Sequence, residues 1–497
     1  MSHPGDIPIE DFRQASERAI DWIARYLTQP DDFPVLARVA PREVKASLPE
    51  SAPRQGEPLD EILSDFEQII VPGITHWNHP GFFAYFSITG SAPGILGELL
   101  SAALNVNGML WQTSPAATEL EEVSVDWLRQ LLGLPDGFEG VIMDTASVST
   151  LCAIAAARHA QSDLEIRERG MAGRPDLPAL RLYTSEQAHS SVEKAAIVLG
   201  LGKNGVRKIP TDDGYRLDVD QLDRAILEDQ AAGHRPFCVV ATVGTTSTTS
   251  IDPVRRIAEI CERRGLWLHV DAAYGGAAAV IPEYQHILDG CDDAMSIVVN
   301  PHKWLFTPID CSVLYTRSPG ILTGAFSLVP EYLRTGVDAE IKNFMDWGVS
   351  LGRRFRALKL WMVLRAFGSE GIAERVREHI RLAQSFADWV DGHPDFERLA
   401  PTPLSVVCFR ARPQALLPGP SARPGDTDKL LNVFNEQLLK RLNASGEIYL
   451  SHTSLGDLYT LRLAIGNLRT TERHVARAWE LIEAETASLL SEPGWIE

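Results

Sequence analysis

Two short stretches of this chain place a lysine and a carboxylate just past the ends of two predicted β-strands. They are Asn300-Pro301-His302-Lys303-Trp304 and His269-Val270-Asp271-Ala272-Ala273-Tyr274-Gly275-Gly276. A lysine amine can form a Schiff base with an aldehyde. A carboxylate can hold a pyridine nitrogen protonated, so that the ring draws electrons from a bound substrate. Pyridoxal phosphate (PLP) needs both. Lys303 is therefore the candidate Schiff-base residue and Asp271 the candidate partner of the ring nitrogen. Either residue alone would be an ordinary surface charge; the two contexts together are specific.

A phosphate needs its own cradle. Asp144-Thr145-Ala146-Ser147-Val148-Ser149-Thr150 leads into an apolar helical stretch, Leu151 to Ala160. Such a start can be a plain N-cap, but free backbone amides and the helix dipole also favour an anion there. Beside a PLP lysine the second reading is preferred. His189 follows a predicted strand and could stack on the cofactor ring. Thr242-Val243-Gly244-Thr245-Thr246 follows another and offers hydroxyls.

Two other motifs fail on context. Gly200-Leu201-Gly202-Lys203-Asn204-Gly205 matches the dinucleotide fingerprint, but a helix precedes it and a strand follows, the reverse of what that motif needs. Gly348-Val349-Ser350-Leu351-Gly352 matches the nucleophile elbow of serine hydrolases, yet no strand pattern leads into it. His76 and His79 lie close together, but Pro80 follows at once, and no Cys/His zinc spacing is present; no metal is expected.

The elements that must position these residues alternate. Helical periodicity over 118–132, 147–160, 190–199, 219–231 and 253–264 is interleaved with short apolar strands at 181–184, 238–242, 266–270, 296–299 and 311–315. This pattern predicts an α/β fold with a mainly parallel central sheet covered by helices on both faces, and ligands beyond the carboxyl ends of the strands. Residues 1–88 read as an N-terminal helical and wrapping segment, with helices at 11–29 and 59–70 around a proline-rich stretch. Residues 89–367 form the large PLP-binding domain and 368–497 an α+β C-terminal domain. In the latter, helices near 370–391, 427–443 and 471–490 flank strands 404–410 and 459–465, and 412–426 reads as a mobile loop.

Composition narrows the partners. A net charge of -19 opposes a polyanion partner, so no nucleic acid is expected. The basic group Arg353, Arg354, Arg356 and Lys359 reads as a helix start with ion-pair roles. No run approaches the roughly 20 apolar residues of a membrane helix, and no secretory signal is visible. Six scattered cysteines read as reduced thiols, so a cytoplasmic protein is expected.

Together these residues resemble the PLP-dependent aromatic L-amino acid decarboxylase family (group II, fold type I), from about Phe12 to Trp479. The likeness is carried by His76-Trp77-x-x-Pro80-x-Phe82-Phe83-Ala84-Tyr85-Phe86, Ser114-Pro115-Ala116-Ala117-Thr118-Glu119-Leu120-Glu121, the Lys303 motif and Leu351-Gly352-Arg353-Arg354-Phe355-Arg356. The resemblance implies that His189 stacks on the ring and Ala273 packs on its opposite face. It places Ala146, Ser147, Asn300 and His302 near the phosphate and Thr246 near the ring substituents. It also implies an intertwined homodimer with sites at the subunit interface. Trp77, Gly81, Phe82, Asn107, Met109 and Gly352 then shape the substrate pocket, Asn107 and Met109 reaching in from the partner. Gly81 stands where animal members have an aromatic residue, which implies more room.

The expected function is decarboxylation of an aromatic L-amino acid resembling tryptophan, tyrosine or DOPA to the amine and CO2. One departure sets up an alternative. Aligned backward from Trp347, Phe344 takes the place of the loop tyrosine that reprotonates the substrate carbon in family decarboxylases. Phenylalanine cannot donate a proton. In plant members a phenylalanine there accompanies aldehyde synthases, which use O2 and release aldehyde, ammonia and peroxide beside CO2. Alternatives of another class are a non-catalytic PLP-fold binding protein and a serine hydrolase.

Overall fold

The computed structural model describes residues 5–328, 341–417 and 426–495. Among the described residues the strands are β1 (Phe82–Phe83), β2 (Glu139–Met143), β3 (Leu180–Ser185), β4 (Val206–Ile209), β5 (Arg235–Thr242), β6 (Trp267–Asp271), β7 (Ser296–Val299), β8 (Ser312–Thr316), β9 (Phe396–Arg398), β10 (Val406–Ala411), β11 (Tyr449–Leu455) and β12 (Leu458–Ala464). Seven form the large sheet in the order β2-β8-β7-β6-β5-β3-β4. β7, β6, β5, β3 and β4 pair in parallel, whereas β8 runs antiparallel to both β2 and β7. The expected α/β fold is therefore present, with one reversed strand that periodicity could not reveal, because a strand buried on both faces reads the same in either direction.

Alternation along the strands feeds two cores. Val239, Ala241, Leu268 and Val270 face one core, built with helices Pro115–Leu131, Val219–Ala231 and Val254–Arg264. Cys238, Val240 and Trp267 face the other, built with helices Ala146–His159, Ser191–Val198 and Pro319–Phe326. His269 and Asp271 alternate with Leu268 and Val270 and so point to the second side.

A smaller sheet, β1-β11-β12-β10-β9, packs its apolar face on helices Asp426–Ser445 and Glu472–Leu490. Its outermost strand, β1, comes from the N-terminal segment and lies parallel to β11, Phe82 opposite Tyr449. The long helix Ala357–Gly392 is broken at Gly368 (φ 65°), a backbone state that glycine adopts without strain. Beyond the break, Ile372, Ala373, Val376 and Ile380 still pack in the large core, and only from Leu382 does the helix join the small one.

Helix Ile9–Thr28 buries none of its residues; Trp22 and Tyr26 lean on Phe66 and Phe33, while Ile9, Phe12 and Ile20 stay exposed. The proline-rich stretch behind it carries a short turn, Pro30–Asp32, and one brief helix, Glu43–Ser47. The expected mobile loop at 412–426 lies mostly outside the described residues. Among the described residues no helix is long and apolar enough to cross a membrane, and all six cysteines are buried and unpaired.

Candidate active site

The carboxyl ends of β3, β5, β6 and β7 open on one cavity of about 460 Å³. It is lined by Ala146, Ser147, His189, Thr246, Asp271, Ala273, Asn300, His302, Lys303 and Trp77, so every residue expected to meet the cofactor, and one expected to meet the substrate, faces the same space. Each is delivered by a short path. His189 lies in the turn between β3 and the next helix, and Thr246 in the loop after β5. Ala273 follows β6, and Lys303 stands in the one-turn helix Pro301–Trp304 after β7. Thr242 at the end of β5 pairs with Asp271, and Asp271 with Val298, so the ladder itself fixes the carboxylate beside the Lys303 loop.

Desolvation pushes the Lys303 amine below the usual lysine range, with Asp271 pulling the other way. This raises the fraction of neutral, nucleophilic amine. Its Nζ sits 5.2 Å from the centre of the Phe86 ring. Behind that ring runs a stack: Phe86 on Tyr274 (3.9 Å), then Tyr274 on Trp304 (4.7 Å). Trp304 Nε1 donates to His379 Nδ1 at 2.9 Å, and His379 Nε2 donates to the Asn467 carbonyl at 3.0 Å. Both ring nitrogens are thus committed in the neutral form, in keeping with burial lowering the His379 pKa to about 4.

His189 Nδ1 accepts the Ser191 amide at 3.2 Å and lies 2.9 Å from the Ser191 hydroxyl, which leaves the ring proton on Nε2. Desolvation lowers its pKa, opposed by Asp271 and reinforced by Lys303 and Lys194. His302 Nδ1 accepts the Cys311 amide at 2.9 Å, so its proton also sits on Nε2. That nitrogen is 3.4 Å from the Asn300 amide nitrogen, while Asn300 Oδ1 is buried without a partner. Turning the amide over resolves both: Oδ1 accepts from His302, and the NH2 group becomes a free donor. Thr242 Oγ1 is likewise buried and unpartnered. Thr145 caps helix Ala146–His159 without a side-chain hydrogen bond, so the amides at the helix start are left for an anion. Orphaned polar atoms, a helix N-terminus and a lysine–carboxylate pair on one cavity are what PLP would satisfy, and the residues present fit it.

Several lining residues were not singled out from sequence. Tyr85, Phe86, Ser451, His452, Thr453 and Arg462 also face the cavity. The Arg462 guanidinium donates to the Thr246 and Ser247 carbonyls (2.8 and 2.7 Å) and to Ser451 Oγ (3.0 Å). Among the described residues no carboxylate pairs with it. One cue was available: Arg462 is the lone charge in an apolar strand, between Leu461 and Leu463, which point into the small core. β11 gave no cue, since its Ser-His-Thr-Ser run carries no apolar alternation.

The other expected pocket residues lie elsewhere. Phe82 is buried beneath Trp77, ring centres 4.4 Å apart. Gly81 is not on this cavity, so its missing side chain adds no room here. A Cβ there would meet the Glu447 carbonyl oxygen at 2.3 Å, because β1 and β11 approach closely. Asn107, Met109 and Gly352 gather in a second group: Asn107 Oδ1 accepts the Arg353 amide at 2.9 Å, and the Met345 amide donates to the Met109 carbonyl at 3.1 Å.

Phe344 also requires correction. It sits in the turn Phe344–Trp347, only 2% exposed, under the Arg353 guanidinium (4.7 Å) and within the core that holds Met143 and Cys152. It does not line the cavity. Alignment backward from Trp347 puts the loop position three residues before that tryptophan, inside this buried turn. The segment 329–340, outside the described residues, carries a tyrosine of its own, Tyr332.

The two misleading motifs resolve as expected. Gly200 and Gly202, both with positive φ, link helix Ser191–Val198 to β4, and a turn rather than a strand precedes Gly348. Among the described residues no group of three or more ligands could hold a metal ion.

Comparison with known proteins agrees with this geometry. The model of the pyridoxal-dependent decarboxylase conserved domain matches residues 41–412. The chain is 40% identical over 492 residues to a phenylacetaldehyde synthase of a Rosa hybrid cultivar, covering 97% of this chain and 95% of that protein. It is 41% identical over 493 residues to tyrosine decarboxylase 4 of Petroselinum crispum, covering 97% and 94%. The crystal structure of Oryza sativa TDC with PLP and tryptamine matches with a TM-score of 0.92 at 38% identity, covering 99% of this chain and all of that one. The chain belongs to the PLP-dependent aromatic amino acid decarboxylase family, and pyridoxal phosphate is its cofactor.

Proposed function

We propose that this protein removes the carboxyl group of an aromatic L-amino acid to give the amine and CO2. The observation that carries the reading is the Lys303–Asp271 pair at adjacent strand ends, opening on a cavity with an aromatic wall of Trp77, Tyr85 and Phe86. When bound, PLP supplies the sink that takes up the electron pair left by the departing carboxylate. Lys303 holds the aldehyde end and Asp271 the ring nitrogen. Ala146, Ser147, Asn300 and His302 hold the phosphate, with Thr246 near the ring substituents. His189 would cover one ring face and Ala273 the other, with the His189 Nε2 proton left free on the cavity side for the substrate. Among the described residues Arg462 has no carboxylate partner beside the cavity, which favours a substrate that carries a carboxylate, as an amino acid does.

Amine formation is preferred over the aldehyde route because Phe344, on which that alternative rested, is packed away from the cavity. By the family pattern, the proton donor falls to Tyr332. We further propose a cytoplasmic homodimer with the domains divided near residues 88 and 367. The exposed Leu96, Leu99, Leu100 and Leu104 on helix Ala92–Leu104, and the separate grouping of Asn107, Met109 and Gly352, support a partner that completes each site.

The test uses purified, PLP-loaded protein in air with L-tryptophan, L-tyrosine, L-DOPA and L-phenylalanine in parallel. Amine, aldehyde, peroxide and O2 uptake are recorded together. Amine without O2 uptake, lost in Lys303→Ala, is the expected result. Aldehyde with stoichiometric peroxide would replace it with the synthase reading, and turnover of Lys303→Ala at the wild-type rate would overturn both.

A further inference from the structure

Asp144 immediately precedes the helix start taken above as the phosphate cradle, an unfavourable place for a free carboxylate. It is not free. Arg356 Nη2 lies 2.6 Å from Asp144 Oδ1. The same guanidinium donates from Nε and Nη2 to the two oxygens of Asp310, both at 3.1 Å. Asp310 belongs to the loop after Lys303. Its neighbour Ile309 lines the cavity, and the next amide, of Cys311, fixes the His302 ring. The Arg356 side chain is only 10% exposed. Lys359, buried, pairs with Glu98 and lies 3.8 Å from Asp310, and Arg354 reaches Asp310 at 3.6 Å and Glu98 at 2.6 Å. Three acids and three bases thus balance around one node. The roots of the two loops are joined by the Met143–Ser312 ladder pair and the Ser149–Ser312 hydroxyls, and of the three bases only Arg356 reaches both Asp144 and Asp310 beyond them.

We infer that Arg356 is a positioning residue that clamps the Asp144–Ser147 loop against the Lys303–Cys311 loop and so sets the grip on the cofactor phosphate. The inference rests on the phosphate placement proposed above. A planar guanidinium can serve both carboxylates at once; an ammonium is a single point charge and cannot do so with the same geometry. Loosening the clamp separates the amides of Ala146 and Ser147 from Asn300 and His302, while the Lys303–Asp271 pair, held by the sheet ladder, stays in register. The effect falls on the phosphate end alone.

The test titrates the full-length protein, freed of cofactor, with PLP and separately with pyridoxal, which lacks the phosphate, and follows absorbance. Arg356→Gln and Asp144→Ala should each weaken PLP by roughly tenfold and leave pyridoxal within about twofold. The double variant should be no worse than the weaker single one, since both break the same tie. Arg356→Lys should fall between wild type and Arg356→Gln. A general loss of fold would lower both ligands together and lower the melting temperature; if Arg356→Gln does so, Asp144→Ala, at a half-exposed side chain, carries the test. A wild-type preference for PLP that survives in both variants, or fully additive losses, would overturn the clamp alone. A wild type that binds PLP no better than pyridoxal would overturn the phosphate placement, and the clamp with it.

Discussion

Phe344→Tyr separates the packing role of this residue from the catalytic one first read from the sequence. The ring is 2% exposed, meets Trp347 edge-on at 5.7 Å and carries the Arg353 guanidinium on its face. A phenol keeps the cation–π contact, since tyrosine and phenylalanine rings differ little in that respect. The added oxygen, however, enters a filled apolar cluster. Overpacking costs about 1–3 kcal/mol, and a buried hydroxyl without a partner about 1–3 kcal/mol more. We expect a loss of roughly 2–6 kcal/mol on that basis, read as a lower urea midpoint at unchanged slope. The amine-to-aldehyde ratio from L-tyrosine or L-tryptophan should not move. The companion Tyr332→Phe should raise aldehyde and peroxide at the expense of amine, as the family pattern implies. A shift of product toward amine in Phe344→Tyr at wild-type stability would refute the packing role, for then the ring must reach a reacting carbon.

His269, His302 and His379 are buried with pKa values lowered to about 4, against 6.5 for a free imidazole. Above pH 6.5 both folded and unfolded forms are neutral. As pH falls from 6.5 toward 4 the unfolded chain takes up protons that the fold refuses, costing up to about 1.4 kcal/mol per pH unit for each ring. Denaturant midpoints measured between pH 8 and 4.5 should be level above 7 and fall steeply below 6; a flat profile would refute the neutral assignments. Gly81→Ala should destabilise by about 1–3 kcal/mol, because its Cβ meets a carbonyl and not a flexible side chain, and leave the preference between L-tryptophan and L-tyrosine unchanged. A changed preference would return Gly81 to the pocket.

The cofactor half of the site was legible because it depends on local order. Each of its residues ends a strand, starts a helix or lies in the short loop after a strand, and these features leave a periodic trace, as at Ser296–Val299 before Asn300 and Lys303. The remaining cavity wall depends on segments far apart in the chain. β11 brings Ser451, His452 and Thr453 to the cavity only because β1 and β12 pair with it, and its polar run shows no such pairing in advance. Burial misled at Gly81 and Phe344. A glycine signals either open space or a close backbone approach, and only the Glu447 carbonyl decides between them. A phenylalanine three residues before a tryptophan reads equally well as a loop tip or as core.

Asn467 joins three parts of the molecule. Its side-chain amide donates to the carbonyls of Trp77 and His79, at 3.2 and 2.9 Å, and its own carbonyl anchors His379 and, through Trp304, the one-turn helix that carries Lys303. Arg462 and the β11 residues close the cavity from the same side. During synthesis the helices and strands that deliver Lys303 and Asp271 emerge well over a hundred residues earlier. They emerge into a site that lacks its wall and the support behind its lysine. Tight cofactor capture should therefore be a late event in the life of the nascent chain, gated by the arrival of residue 467.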